Sequence, residues 1–324
     1  MLNGTRGRFG AAPAALLATL AAGLVGVGLA TQADAGVASC YGRPATILPG
    51  SGATDGPDEI DGTPAGDVIV AGGGDDLVRA GGGDDFVCGG PGKDELRGEN
   101  GEDSLAGEAR GDELLGGQDP DWVVGDRASI NGSASGGGND RLDGGGAHDT
   151  LIGDSYSAGG DATGGGDDVL LGGPNPAESE SLIGDSRSTF GDATGGGDDV
   201  LLGGPDANSL LGDSLALGDP ASDAEGAGDD RLIGGDATDF MTGDSKGETA
   251  SGADGSDVLK GGGSADGLRG DHGLGPAAGA GPDELYGEGG ADGLDGGGRT
   301  DLCDGGGGTD TSTNCEDERN IPKR

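Results

Sequence analysis

From Ala53 to Val124 the apolar and polar positions recur every nine residues, giving eight consecutive rows. Position eight of each row is aliphatic: Ile60, Ile69, Val78, Val87, Leu96, Leu105, Leu114 and Val123. Position six is always aspartate: Asp58, Asp67, Asp76, Asp85, Asp94, Asp103, Asp112 and Asp121. The first four positions are dominated by glycine, so the pattern is Gly-Gly-x-Gly-x-Asp-x-(aliphatic)-x. One inward apolar residue between two outward ones predicts a strand of only three residues. The glycine-rich half predicts a turn that needs positive φ or a close approach of backbones. So short a strand cannot hold itself, so it must stack on the row two further along. Two rows then form one 18-residue coil of a parallel β-roll, an all-β solenoid.

After Val124 the simple period is interrupted. Gly-Asp pairs begin at Gly125, Gly153, Gly184, Gly212, Gly243 and Gly270, spaced 28, 31, 28, 31 and 27 residues apart. The best division alternates a long row of about 19 residues with a row close to nine. Counted from Ala53, every long row is odd-numbered. With two rows per coil, all insertions therefore emerge on one edge. Twenty-two rows reach Thr313, so about eleven coils are expected. At about 4.8 Å per coil, the roll should be about 53 Å long. The organisation expected is a leader at 1–35, an N-terminal cap at 36–52, the roll at 53–313 and a tail at 314–324. The roll is regular at 53–124, loop-inserted at 125–286 and regular again at 287–313.

These rows resemble the calcium-binding nonapeptide repeats of RTX (hemolysin-type) proteins, and the likeness runs through nearly the whole chain after the leader. It implies several bound Ca2+ ions and a chain that folds as they bind. The charge pattern points the same way. Stacking brings position-six carboxylates to about 4.8 Å, where a pair repels by about 3.5 kcal/mol at an effective dielectric of about 20. Carboxylates with turn carbonyls, and no imidazole or thiolate, suit a hard divalent cation such as Ca2+.

The expected ligands continue beyond the regular rows as Asp140, Asp149, Asp168, Asp199, Asp230, Asp257, Asp283, Asp292, Asp301 and Asp310. On the odd edge, position four is glycine in every long row: Gly138, Gly166, Gly197, Gly228, Gly255 and Gly281. On the even edge it becomes Ala147, Asp206, Ala237 or Ser264, and position six becomes Glu180 or Asn208 in two rows. Mid-chain sites are therefore expected mainly on the odd edge, with the better even-edge sites around Asp85, Asp103, Asp292 and Asp310. The Gly-Asp pairs add Asp126, Asp154, Asp185, Asp213, Asp244 and Asp271. These form either a further cation row or, as the sequence favours, side-chain turns that open each inserted loop.

Composition changes the picture in three ways. With 81 Gly and 14 Pro in 324 residues, the chain would read as disordered but for its period. A net charge of −42 excludes nucleic acid as a partner, because phosphate contacts need Lys and Arg. Arg6 and Arg8, the apolar run Ala11–Ala30 and Ala33-Asp34-Ala35 form the pattern of a secretory leader cleaved after Ala35, leaving no membrane span. Export through such a leader departs from RTX relatives that carry a C-terminal secretion signal. Val37-Ala38-Ser39-Cys40 also loosely resembles a lipoprotein box.

In an oxidising compartment four cysteines suggest two disulfides. Of the three connectivities, the sequence-local pairing Cys40–Cys88 and Cys303–Cys315 is expected. No nucleophile elbow and no paired histidines occur, so no enzyme is expected. The function expected is a secreted calcium-binding protein with a structural or adhesive role, its partner a cell-surface polysaccharide or another envelope component. A passive calcium buffer or surface coat, or a roll carrying a polysaccharide-modifying activity, are the alternatives.

Overall fold

The computed structural model describes residues 38–48, 54–174, 179–217, 222–246, 249–250, 255–271 and 281–322. The leader, and the parts of the cap at 36–37 and 49–52, lie outside the described residues. Among the described residues there is no helix, and the chain is a parallel β-roll.

Each row contributes one short strand, and the strands sort by parity onto two faces. Odd rows form one parallel sheet that runs from Glu59–Asp61 to Asp317–Arg319. Even rows form an 11-stranded sheet from Val68–Val70 to Thr311–Thr313. Register is fixed by the single inward side chain. Ile60 sits beside Val78, Leu142 beside Leu170 and Leu170 beside Leu201 on one face. Ile69 sits beside Val87 and Leu151 beside Leu182 on the other. A slip of one residue would turn every aliphatic out to solvent. The position-eight residues thus build one continuous buried core from Ile60 to Cys303. It is only two side chains thick, so each coil depends on its neighbours.

The insertions are ordered and stack as well. Ala128–Ser129, Tyr156–Ser157, Arg187–Ser188 and Leu215–Ala216 form a four-stranded parallel sheet. Ala134–Ser135, Ala162–Thr163, Ala193–Thr194, Asp223–Glu225 and Thr249–Ala250 form a five-stranded one. The loops are tied by their own side chains. The Ser188 hydroxyl donates to the Gly160 carbonyl (2.8 Å) and accepts from the Gly191 amide (2.8 Å). A second apolar cluster of Val124, Ile152, Ile183 and Leu211, flanked by Trp122, Tyr156 and Leu215, joins this lobe to the roll.

Both ends are closed. Ser39–Cys40 pairs antiparallel with Arg43–Pro44, and Ile47 bridges to Ile69 on the first even row. Cys40 is bonded to Cys88, with Cα atoms 5.6 Å apart. At the other end Cys303 is bonded to Cys315. Here the sheet extends past the row count, since Asp317–Arg319 pairs with Leu302–Asp304 inside the segment expected as a tail. Ile321 packs on the end of the core.

Candidate metal centre

Stacking converts the position-six aspartates into two ladders, one along each edge. Within a ladder each carboxylate uses one oxygen in the same way. The Asp76 amide donates to Oδ1 of Asp94 (2.8 Å), and the Asp94 amide to Oδ1 of Asp112 (2.7 Å). On the even edge the Asp85 amide donates to Asp103 (2.8 Å) and Asp103 to Asp121 (2.8 Å). The pattern crosses the insertions unchanged. Asp140 donates to Asp168 (2.7 Å), Asp168 to Asp199 (2.7 Å) and Asp199 to Asp230 (2.8 Å), while Asp121 donates to Asp149 (2.8 Å). Asp230 then donates to Asp257 and Asp257 to Asp283, each at 2.9 Å. At the C-terminal end Asp283 donates to Asp301 and Asp292 to Asp310, each at 3.0 Å.

The second oxygen is the chemically informative one. In Asp76, Asp85, Asp94, Asp103, Asp112, Asp121, Asp140, Asp168, Asp199, Asp230, Asp257, Asp292, Asp301 and Asp310, Oδ2 is buried and accepts no hydrogen bond. A buried carboxylate oxygen left without a donor is costly, yet this cost recurs along both edges. The space beside it is kept open by glycine at position one. A Cβ at Gly98 or Gly153 would fall on the second oxygen of Asp103 or Asp168. Acceptor-only oxygens facing a turn backbone fit a hard divalent cation. Asp58 and Asp67 differ from the others. Their second oxygens are taken by the hydroxyls of Thr54 and Thr63, which end the two ladders.

The electrostatics follow burial. Asp85 is pushed up to about 6, and Asp94 and Asp103 to about 7, first by burial and then by neighbouring rungs. Under the inserted lobe the effect grows. Burial and the charge of Asp168 push Asp140 up to about 9. Burial and the charge of Asp230 push Asp199 up to about 11 and Asp257 to about 10. The carboxyls under the lobe thus demand a proton or another cation at neutral pH.

The even edge differs from the odd edge in mid-chain. The Asp149 amide donates to Glu180, and the Glu180 amide to Oδ1 of Asn208 (3.1 Å), so the ladder continues structurally. Asn208, however, turns its amide nitrogen to the Asp206 carbonyl (2.5 Å), placing a donor where the other rungs have an acceptor. Ala147 and Ser264, at position four, are held at φ 78° and 76°, a conformation that strains residues with a Cβ.

Two further rungs were missing from the sequence-derived ligands. Asp239 and Asp266 hold position six in rows whose fourth position is Ala237 or Ser264, which argued against them. The Asn208 amide donates to Asp239 (2.7 Å) and the Asp239 amide to Asp266 (2.9 Å), and both Oδ2 atoms are unpartnered. The Asp at position six of these two rows was the better signal. The glycines at position four of the long rows meet the second of the two needs expected, close approach of backbones. They do not adopt positive φ; a Cβ at Gly138, Gly166 or Gly197 would overlap a carbonyl of the preceding coil.

Among the described residues, no three His, Cys, Asp or Glu side chains gather at one point. The turns instead offer single carboxylates flanked by main chain, rung after rung. The family model of the RTX calcium-binding nonapeptide repeat matches residues 53–87, 61–96, 134–155, 193–214, 226–245 and 242–273. No curated protein matches the chain. The matched segments are RTX-type nonapeptide repeats, and repeats of this kind bind calcium.

Proposed function

We propose that this array of RTX repeats is a secreted, multi-site calcium-binding roll that folds as calcium enters and serves as a structural or adhesive element at or outside the cell envelope. The observation that carries the reading is the run of buried, unpartnered Oδ2 atoms along both edges. Bound Ca2+ supplies the positive charge these oxygens lack. The protein's own part is mechanical. Oδ1 pins each rung to the amide of its neighbour, glycine at position one leaves room beside Oδ2, and the aliphatic column aligns the strands. Binding to the folded roll alone stabilises it by mass action. The leader and the two disulfides support export to an oxidising compartment. The acidic, regular surface supports a role in scaffolding or adhesion, with calcium bridging to anionic polysaccharide or another envelope component.

The test is fractionation of the producing cells, followed by capture on the purified chain in Ca2+ and in chelator. The reading expects the chain outside the cytoplasmic membrane, cleaved after Ala35, and an envelope component retained only in Ca2+. A chain confined to the cytoplasm would refute the export reading. Exported chain that retains nothing would leave a calcium buffer or coat in place of an adhesin.

A further inference from the structure

The Gly-Asp pairs that open the long rows form a third column of aspartates, separate from position six. Asp126, Asp154, Asp185 and Asp213 are all fully buried, one per coil. Asp126, Asp154 and Asp185 do not make the local turns that the sequence favours. The Asp126 Oδ2 accepts from the amide of Gly138 (3.0 Å), 12 residues on, across the base of the insertion. Asp154 and Asp185 accept no hydrogen bond at either oxygen. The next residues repeat the anomaly, since the hydroxyls of Ser155 and Ser186 are fully buried and without a partner. Four carboxylate oxygens and two hydroxyls therefore lie inside the protein unsatisfied, at corresponding places in adjacent coils.

The surroundings are built to hold these groups there. Gly136 and Gly164 lie so close over the side chains of Asp126 and Asp154 that a Cβ at either would overlap them. The stacked insertions cover the column from outside. Asp154 stands within hydrogen-bonding range of Asp126 on one side and Asp185 on the other. Carboxylates facing one another are acceptors only, so nothing joins them without a proton or a cation between.

We infer that the Asp126–Asp154–Asp185 column, with the Ser155 and Ser186 hydroxyls, is a second set of Ca2+ sites enclosed between the roll and its inserted lobe. The oxygen-only ligand set, combining carboxylate and hydroxyl, is that of calcium. The column accounts for why the long rows carry Gly-Asp at their start. The ions would fasten each insertion to its coil, so the lobe orders only when the column is filled.

The inference rests on the turn reading only in taking calcium as the ion present, and the test separates the two. Crystals of the full chain grown with Tb3+ in place of Ca2+ should show anomalous peaks between the Asp154 and Asp185 carboxylates, apart from any peak beside Oδ2 of position six. Equilibrium dialysis of Asp154→Asn/Asp185→Asn should show one to two fewer Ca2+ bound than wild type, with far-UV circular dichroism in saturating Ca2+ confirming a folded roll. Asp76→Asn/Asp94→Asn serves as the comparison that removes regular-turn ligands. Wild type that binds no calcium overturns the turn reading. Wild-type crystals with peaks at position six only overturn the column and leave the turns intact. So does an Asp154→Asn/Asp185→Asn protein with an unchanged calcium count, which would mean that protons alone join the carboxylates.

Discussion

Protonation should do at low pH part of what calcium does at neutral pH. Asp140 titrates at an ordinary 3.8 in an unfolded chain, but burial, and then the charge of Asp168, raise it to about 9 in the roll. Between those values the folded state holds a proton that the unfolded state has released, so stability falls as pH rises. From pH 4 to pH 7 the loss is about 4 kcal/mol for this one group, at about 1.36 kcal/mol per pH unit. Asp168, Asp199 and Asp257 are raised in the same sense, to about 8, 11 and 10. Even if mutual coupling halves the sum, it rivals the roughly 5–15 kcal/mol net stability of a typical domain. In calcium-free buffer the far-UV β signal should therefore be largest near pH 4 and fade as pH climbs past 7, with sedimentation confirming monomer. In saturating calcium the signal should persist at neutral pH. A calcium-free signal that is flat with pH, or that grows as pH rises, would refute the assignment of buried, raised carboxyls.

Gly166→Ala places a methyl on the Gly138 carbonyl and should cost about 1–3 kcal/mol. Calorimetry in saturating calcium should show it, while Gly56→Ala, with open space around it, should melt like wild type. Asn208→Asp restores a carboxylate to the even ladder. It should raise the bound-calcium count in dialysis by one and lower thermal stability in chelator. Loop-closure entropy assigns about 4 kcal/mol to Cys40–Cys88, which closes 48 residues, and about 3 to Cys303–Cys315, which closes 12. Melting of Cys40→Ser/Cys88→Ser against Cys303→Ser/Cys315→Ser should rank them in that order.

Much of this architecture is legible in the sequence because one residue in nine carries the burial and one carries the charge. The aliphatic at position eight sets parity, register and core together, so the two faces follow from counting rows. The single-edged placement of the insertions follows from the same count. The order within those insertions does not. Strands of two residues such as Ala128–Ser129 have no periodicity of their own, and they exist because each copy stacks on the next. The last strand was hidden for a related reason. Asp317–Arg319 places Glu318 in the column of Cys303, where every other row has an apolar residue. The Gly-Asp column was visible as a spacing, but its burial was not, since only the folded lobe covers it.

Closure of the roll by calcium is read from a Ca2+ titration of the disulfide-bonded chain at pH 7.5. Far-UV circular dichroism and bound calcium should be followed on the same samples. The spectrum should be disordered in chelator, and the β signal should rise cooperatively in step with the binding of several Ca2+ per chain, with Mg2+ unable to substitute. A β-rich spectrum in chelator that calcium leaves unchanged, or folding without bound calcium, would contradict closure by calcium.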